Sequence, residues 1–202
     1  MAGRKQFDVD EAVRRAMAVF WQRGYADTSL DLLGAATGLG RGSLYGTFGG
    51  KDSLFRRCLD RYAATYGDRY DRALTSYPDD PARAIGAFFD VTLDRLADRS
   101  VPDGCLLAQS ATQSATLQPE TRSHVQALLA DQWARVRAAL TTPGADPRAL
   151  DDLATYVVAV TQSLAVLSRA GTPLPDLRAV TRLARTTVST ALAQANTGHA
   201  PA

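Results

Sequence analysis

Apolar side chains return every three or four residues along almost the whole chain, and glycine or proline interrupts them at short intervals. Val9, Ala12, Val13, Ala16 and Phe20 mark one face of a helix with a 3.6-residue period, which Gly24 ends. A shorter stretch runs from Leu30 to Thr37, with Thr28 and Ser29 available as caps. Gly38-Leu39-Gly40 breaks it, Arg41 to Phe48 forms another short helix, and Gly49-Gly50 breaks the chain again. From Lys51 the elements lengthen. Phe55, Cys58, Leu59, Tyr62, Tyr66, Tyr70 and Leu74 draw a long stripe that ends at Pro78; Ile85, Phe88, Phe89, Leu93 and Leu96 draw the next. A short segment from Cys105 to Ala115 follows. Further helices are expected around Val125 to Leu140, Leu150 to Leu167 and Leu177 to Leu192, with a disordered tail from Asn196. Nowhere does the chain alternate apolar and polar residues between hairpin turns. The pattern predicts an all-α fold of about nine helices, three of them short and crowded at the N-terminus.

Apolar residues make up 46% of the 202 positions and charged residues 22%, which excludes wholesale disorder. The chain contains no run of about 18 apolar residues, so no membrane partner is expected. The start, Met-Ala-Gly-Arg-Lys-Gln, leads into charged sequence and does not read as a secretory signal. Cys58 and Cys105 are too few for a disulfide framework, and free thiols point to the cytoplasm. Residues 1–66 hold ten Lys and Arg against seven acids, whereas the remainder is slightly acidic, an asymmetry compatible with a DNA-facing N-terminal region.

The stretch from Ser29 to Phe48 has the spacing of a helix-turn-helix. Gly34 sits within the first short helix, where glycine costs about 1 kcal/mol relative to alanine and makes sense if another backbone approaches closely. Gly38 stands where the chain must turn with positive φ. Leu33, Leu39 and Leu44 are spaced to meet between the two helices. The second helix then presents Arg41, Gly42, Ser43, Tyr45, Gly46 and Thr47 outward, small or hydrogen-bonding residues suited to a major groove roughly 12 Å wide. A three-helix bundle without DNA is the plainer alternative.

Thr28-Ser29-Leu30, then Ala36 through Phe48, then Lys51-Asp52-Ser53-Leu54-Phe55, resembles the tetracycline-repressor (TetR) family of transcriptional regulators over about residues 6–66. Gly104-Cys105-Leu106-Leu107-Ala108 is similar to a segment of one subgroup. The resemblance implies a DNA-binding domain over 1–66, a helical ligand-binding and dimerisation domain over 67–195, and a tail over 196–202. It implies that Thr28 and Ser29 hold a phosphate at a helix N-terminus, as helix ends are suited to do. Arg41, Gly42, Ser43 and Thr47 would read base edges, Tyr45 would lie on the sugar-phosphate backbone, and Lys51 would anchor a further phosphate. Gly40 and Gly50 depart from the Ser or Thr caps common in the family, and Gly34 and Thr37 from its alanines.

Family members act as homodimers on palindromic operators, and small-molecule inducers release them. The helix from Tyr156 to Leu167 is apolar on nearly every face, so a dimer surface is expected at Tyr156, Val160, Leu164, Leu167, Val180, Ala184, Val188 and Ala191, with intramolecular core as the alternative. Tyr62, Tyr66, Phe88, Phe89, Gln109, Gln113, Trp133 and Tyr156 are the expected pocket lining. No cluster of like charge marks the class of ligand. Cys105, at a helix start, is either a thiol sensor or inert packing; Cys58 belongs to the core. His124 and His199 assemble no metal site or catalytic triad, and no phosphate loop follows a strand, so neither cofactor nor catalytic residues are expected. A helical carrier or enzyme that makes no use of DNA is the rival from another class.

Overall fold

The computed structural model describes residues 8–197, with side chains through Ala195. Among the described residues nine α-helices follow one another: α1 (Val9–Arg23), α2 (Leu30–Thr37), α3 (Arg41–Phe48), α4 (Lys51–Thr75), α5 (Pro81–Ala97), α6 (Leu106–Thr112), α7 (Pro119–Ala139), α8 (Pro147–Arg169) and α9 (Leu174–Thr197). The segment expected from Cys105 to Ala115 divides into α6 and a separate 3-10 turn, Ser114–Thr116. Pro81, Pro119 and Pro147 are the first residues of α5, α7 and α8, where a missing N–H costs nothing. Asp80 and Asp146 cap two of these starts by accepting from the N–H groups of Arg83 and Arg148, which makes Asp80 a structural carboxylate. Helix α9 continues two residues past the expected boundary at Asn196; positions 198–202 of the expected tail lie outside the described residues.

The apolar stripes close two clusters. The first joins Ala16, Phe20, Trp21, Leu33, Leu44, Phe48 and Phe55 of the N-terminal helices to Tyr62, Tyr66, Leu106, Leu107, Leu117 and Val125. The core of the head therefore runs on into α6 and the start of α7. The second joins Ile85, Phe88 and Phe89 of α5 to Val136, Leu153, Val157, Leu164, Ala184 and Val188. Tyr70 packs against both clusters. Helix α8 has the length and apolar content to cross a membrane, but Leu150, Leu153, Val157 and Leu164 face this second core, and its long apolar run is that of a packed helix.

Candidate nucleic-acid interface and the cavity behind it

Ser29 caps α2 by accepting from the N–H of Leu32 at 3.2 Å. At Gly34 an added Cβ would stand 2.9 Å from the carbonyl oxygen of Leu39, the close backbone approach that the sequence predicts there. Gly38 then turns with φ +74°. Leu33 and Leu44 are buried in the wedge between α2 and α3, and Leu39 is at its edge. This leaves Arg41, Gly42, Ser43, Tyr45 and Gly46 exposed and Thr47 partly so. Among the described residues no side chain caps α3 or α4 at its start.

The exposed face of α3 is shaped by omission. A Cβ added at Gly42 or Gly46 would meet nothing within 4 Å. Neither glycine serves the packing of the chain, and both weaken an eight-residue helix. Tyr45, 54% exposed, lies beside Gly50, where a Cβ would come within 3.3 Å of its ring.

Arg41 is not free. Its Nε and Nη2 donate to both oxygens of Asp31, at 2.9 and 2.8 Å, across the gap between α2 and α3. The hydrogen bond from Arg41 holds the Asp31 carboxyl below its usual range, so the clasp is charged at neutral pH. It opens only as the pH falls through that depressed value. Asp31 was not anticipated from sequence: ten positions separate it from Arg41, and only the crossing of the two helices brings them together. Lys51 lies 4.3 Å from the centre of the Tyr25 ring, and partial burial lowers its pKa. Thr28 does not face outward as expected. It is fully buried, and its hydroxyl donates to the carbonyl of Gly24 at 2.6 Å, so it shapes the turn before α2.

Behind the head, α6 joins two sites. Gln113 accepts from the backbone N–H of Tyr25 at 2.9 Å. Gly24, with φ +84°, lets this amide approach, because a Cβ there would stand inside it. One turn back, Gln109 donates to the carbonyl of Trp21 at 2.8 Å and accepts from the N–H of Gly24, an orientation set by its neighbours' hydrogen-bonding capacities. Arg169, from α8, donates to the carbonyls of Trp21 and Gln22 at 3.0 and 2.7 Å. Gln109 and Gln113 are thus ties between α6 and the end of α1, not walls of an enclosed pocket, although they border an open groove with Arg23 and Arg169. Tyr25 also donates to Asp52 at 3.3 Å, and Thr121 donates to the same carboxylate at 2.8 Å, linking α4 and α7 to the turn.

The other end of α6 borders a cavity of about 60 Å³ between α4, α5, α7 and α8. Tyr62 and Tyr66 line it as expected, with Tyr70, Arg95 and Cys105 beside them. Phe88 and Phe89 do not: both are buried in the second core. Trp133 donates to Thr155 on the outer face of α7 and α8 at 3.1 Å, and Tyr156 is half-buried on α8, both away from the cavity lining. Cys105 caps α6 through the N–H of Ala108 at 3.5 Å and accepts from the Tyr62 hydroxyl at 3.1 Å. Cys58 is a separate, buried thiol whose pKa burial pushes up. Among the described residues no three His, Cys, Asp or Glu side chains come together as a metal site.

Of the expected dimer residues, Leu164, Ala184 and Val188 are buried within the protomer, where they hold α8 to α9 and the rest of the second core. Tyr156, Val160, Val180 and Ala191 are half-buried, and Leu167 is exposed. Val166 and Leu183, beside them in sequence, are exposed by 55% and 69%.

This constellation defines a helix-turn-helix regulator: a glycine-thinned reading helix on a three-helix head, tied through one short helix to a cavity in the larger helical body. Residues 12–58 match the profile of bacterial regulatory proteins of the tetR family, and residues 81–183 match that of the C-terminal domain of LmrA/YxaF-like transcriptional regulators. The chain belongs to the TetR family of DNA-binding transcriptional regulators. It is 34% identical to the HTH-type transcriptional repressor ComR of Escherichia coli K12, over 58% of this chain and 54% of ComR. It is 31% identical to the uncharacterised regulator YezE of Bacillus subtilis, over 59% of this chain and 61% of YezE. The chain therefore spans between half and two thirds of the length of these relatives. In structure it is similar to the TetR family regulator CifR, in a cysteine-substituted form complexed with 26-base-pair operator DNA. There the TM-score is 0.81 and the identity 28%, covering 90% of this chain and 97% of CifR.

Proposed function

We propose that the chain is a cytoplasmic homodimeric repressor that holds a palindromic operator and releases it when a small molecule enters the cavity between α4, α5, α7 and α8. The observation that carries this reading is the outer face of α3, where two glycines that serve no internal contact lie beside Arg41, Ser43, Tyr45 and Thr47. Such a face is built for close approach by something outside the chain. Arg41 would exchange Asp31 for a base edge or a phosphate, and the uncapped starts of α3 and α4, with Ser29 and Lys51, would meet phosphates. The half-buried and exposed row of Tyr156, Val160, Leu167, Val180 and Leu183 would meet its symmetry mate, placing two reading helices on one side of a duplex. Release would travel through α6, which touches the cavity at one end and the Gly24–Tyr25 turn at the other.

A gel-shift titration against the DNA upstream of the chain's own gene tests the reading. Binding is expected for the wild type and lost in Arg41→Ala and Tyr45→Ala. Binding indifferent to both substitutions, or none to any sequence, favours the carrier or enzyme instead.

The position of Cys105 favours a second trigger. Its sulfur meets the Tyr62 hydroxyl at the cavity and belongs to the open groove as well, so addition of an electrophile would bring bulk between α6 and α4. Release by mild electrophiles in the wild type but not in Cys105→Ser supports it; equal release in both assigns Cys105 to packing.

A further inference from the structure

Arg95 breaks the rule that a buried charge has a partner. It is 3% exposed, stands on the apolar stripe of α5, and makes no ion pair among the described residues. Its Nη1 donates to the carbonyl of Gly104, while its Nε is buried without an acceptor. The guanidinium lies 5.7 Å from the centre of the Tyr66 ring, which softens its desolvation but does not neutralise it. The Tyr70 hydroxyl stands within hydrogen-bonding reach of the guanidinium, but a phenol is a neutral partner, and burial raises the pKa of Tyr62 well above its ordinary value and that of Tyr66 as well, so neither serves as a counter-ion. Of the other charged groups that border the cavity, Asp131 is exposed at its rim, and Arg135, also exposed, is paired with Asp71 at 3.4 Å. Gln162, which also borders the cavity, donates to Gln132 at 2.9 Å and leaves its own Oε1 buried without a donor among the described residues.

We infer that the cavity takes a compact aromatic monocarboxylate, its carboxylate on Arg95, its ring against Tyr62, Tyr66 and Tyr70, and a hydroxyl or amine substituent donating to Gln162. The inference rests on the ligand-responsive reading above and names the class of ligand. A single unpaired guanidinium N–H in a tyrosine-walled cavity suits a monoanion with a flat body. A phosphate dianion would call for several converging donors. The cavity as it stands, at about 60 Å³, admits a head group but not a whole aromatic ring, since a benzene-sized void is about 150 Å³. The ligand therefore binds better to a state in which α4, α6 and α7 have separated, the differential affinity that a switch requires.

Benzoate, 4-hydroxybenzoate and the neutral isostere benzamide test this by calorimetry and by fluorescence of Trp21, whose ring meets those of Tyr62 and Tyr66 edge-on. The Trp133→Phe background keeps the fluorescence signal local. The carboxylates are expected to bind at least about 10-fold tighter than benzamide, 4-hydroxybenzoate more tightly than benzoate, Arg95→Lys to retain much of the difference, and Arg95→Met to abolish it. Gln162→Leu should erase the advantage of the hydroxyl without touching Arg95, so the inference stays testable if Arg95→Met fails to fold. Equal binding of benzoate and benzamide, unchanged binding by folded Arg95→Met, or no binding of either carboxylate overturns it. Binding of carboxylate without any effect on bound DNA would leave the anion site standing and overturn the ligand-responsive reading. DNA release by neutral aromatic compounds alone would do the reverse.

Discussion

Helix α3 and the inner face of α5 each carry residues that folding alone would not select, and they do so in opposite ways. On α3 something is left out: Gly42 and Gly46 forgo side chains that would fit without contact and would strengthen the helix. On α5 something is put in: Arg95 occupies a buried position where an apolar residue would pack without an electrostatic penalty. The exposed helix is thinned so that a large partner can come close, and the buried face is charged so that a small one is drawn in. Departure from the best local choice is informative in both places, and its direction tells which kind of partner to expect.

Substitutions on α3 test the first half of that contrast most strongly. Arg41→Ala should weaken operator binding on the order of 10- to 100-fold, measured by fluorescence anisotropy, with folding unchanged by circular dichroism. The double change Gly42→Ala and Gly46→Ala should raise the thermal midpoint by about 2–4 °C per substitution while weakening operator binding about 10-fold or more. A more stable protein that still binds DNA fully would break the comparison, because the glycines would then serve neither purpose.

Between the two regions, Gln113→Ala should cost about 1–2 kcal/mol of stability by leaving the Tyr25 N–H without its acceptor. It should leave operator affinity within about threefold of wild type and blunt release by ligand. Loss of DNA binding with release intact would place the coupling elsewhere. The smallest effect belongs to Asp31→Asn, which should strengthen binding to non-operator duplex by about two- to fivefold, and to operator by less, and steepen the dependence on salt. An unchanged affinity would mean that the clasp on Arg41 has no influence on binding.

Much of the fold was legible because it is written in local periodicity. The stripes of α1, α4, α5 and α8 name their own buried faces, and Gly38 announces the turn that makes α2 and α3 a pair. Spacing does not say which of two apolar faces meets a neighbour in the same chain, so Leu164, Ala184 and Val188 were assigned to a dimer surface although they pack internally. Nor does it show that Gln109 and Gln113 tie α6 to α1, since Gln113 and Tyr25 stand 88 positions apart. Arg95 did leave a trace. Phe88, Thr92 and Arg95 lie on one face of α5, and a charge on an apolar stripe was the sign that the cavity needs an anion. Thr28 is the converse case, a polar residue at the expected helix start whose hydroxyl is spent inside the turn.

The pairing of Asp31 with Arg41 has a consequence for how such a protein would find its address. A chromosome offers on the order of a million or more wrong sites, each presenting the same phosphates. Any of them must first push aside a carboxylate that repels it, whereas a guanine offers two acceptors in place of the two that are surrendered. An acid stationed beside the reading arginine would thus act as a toll on chance encounters, and searching would be quicker for it.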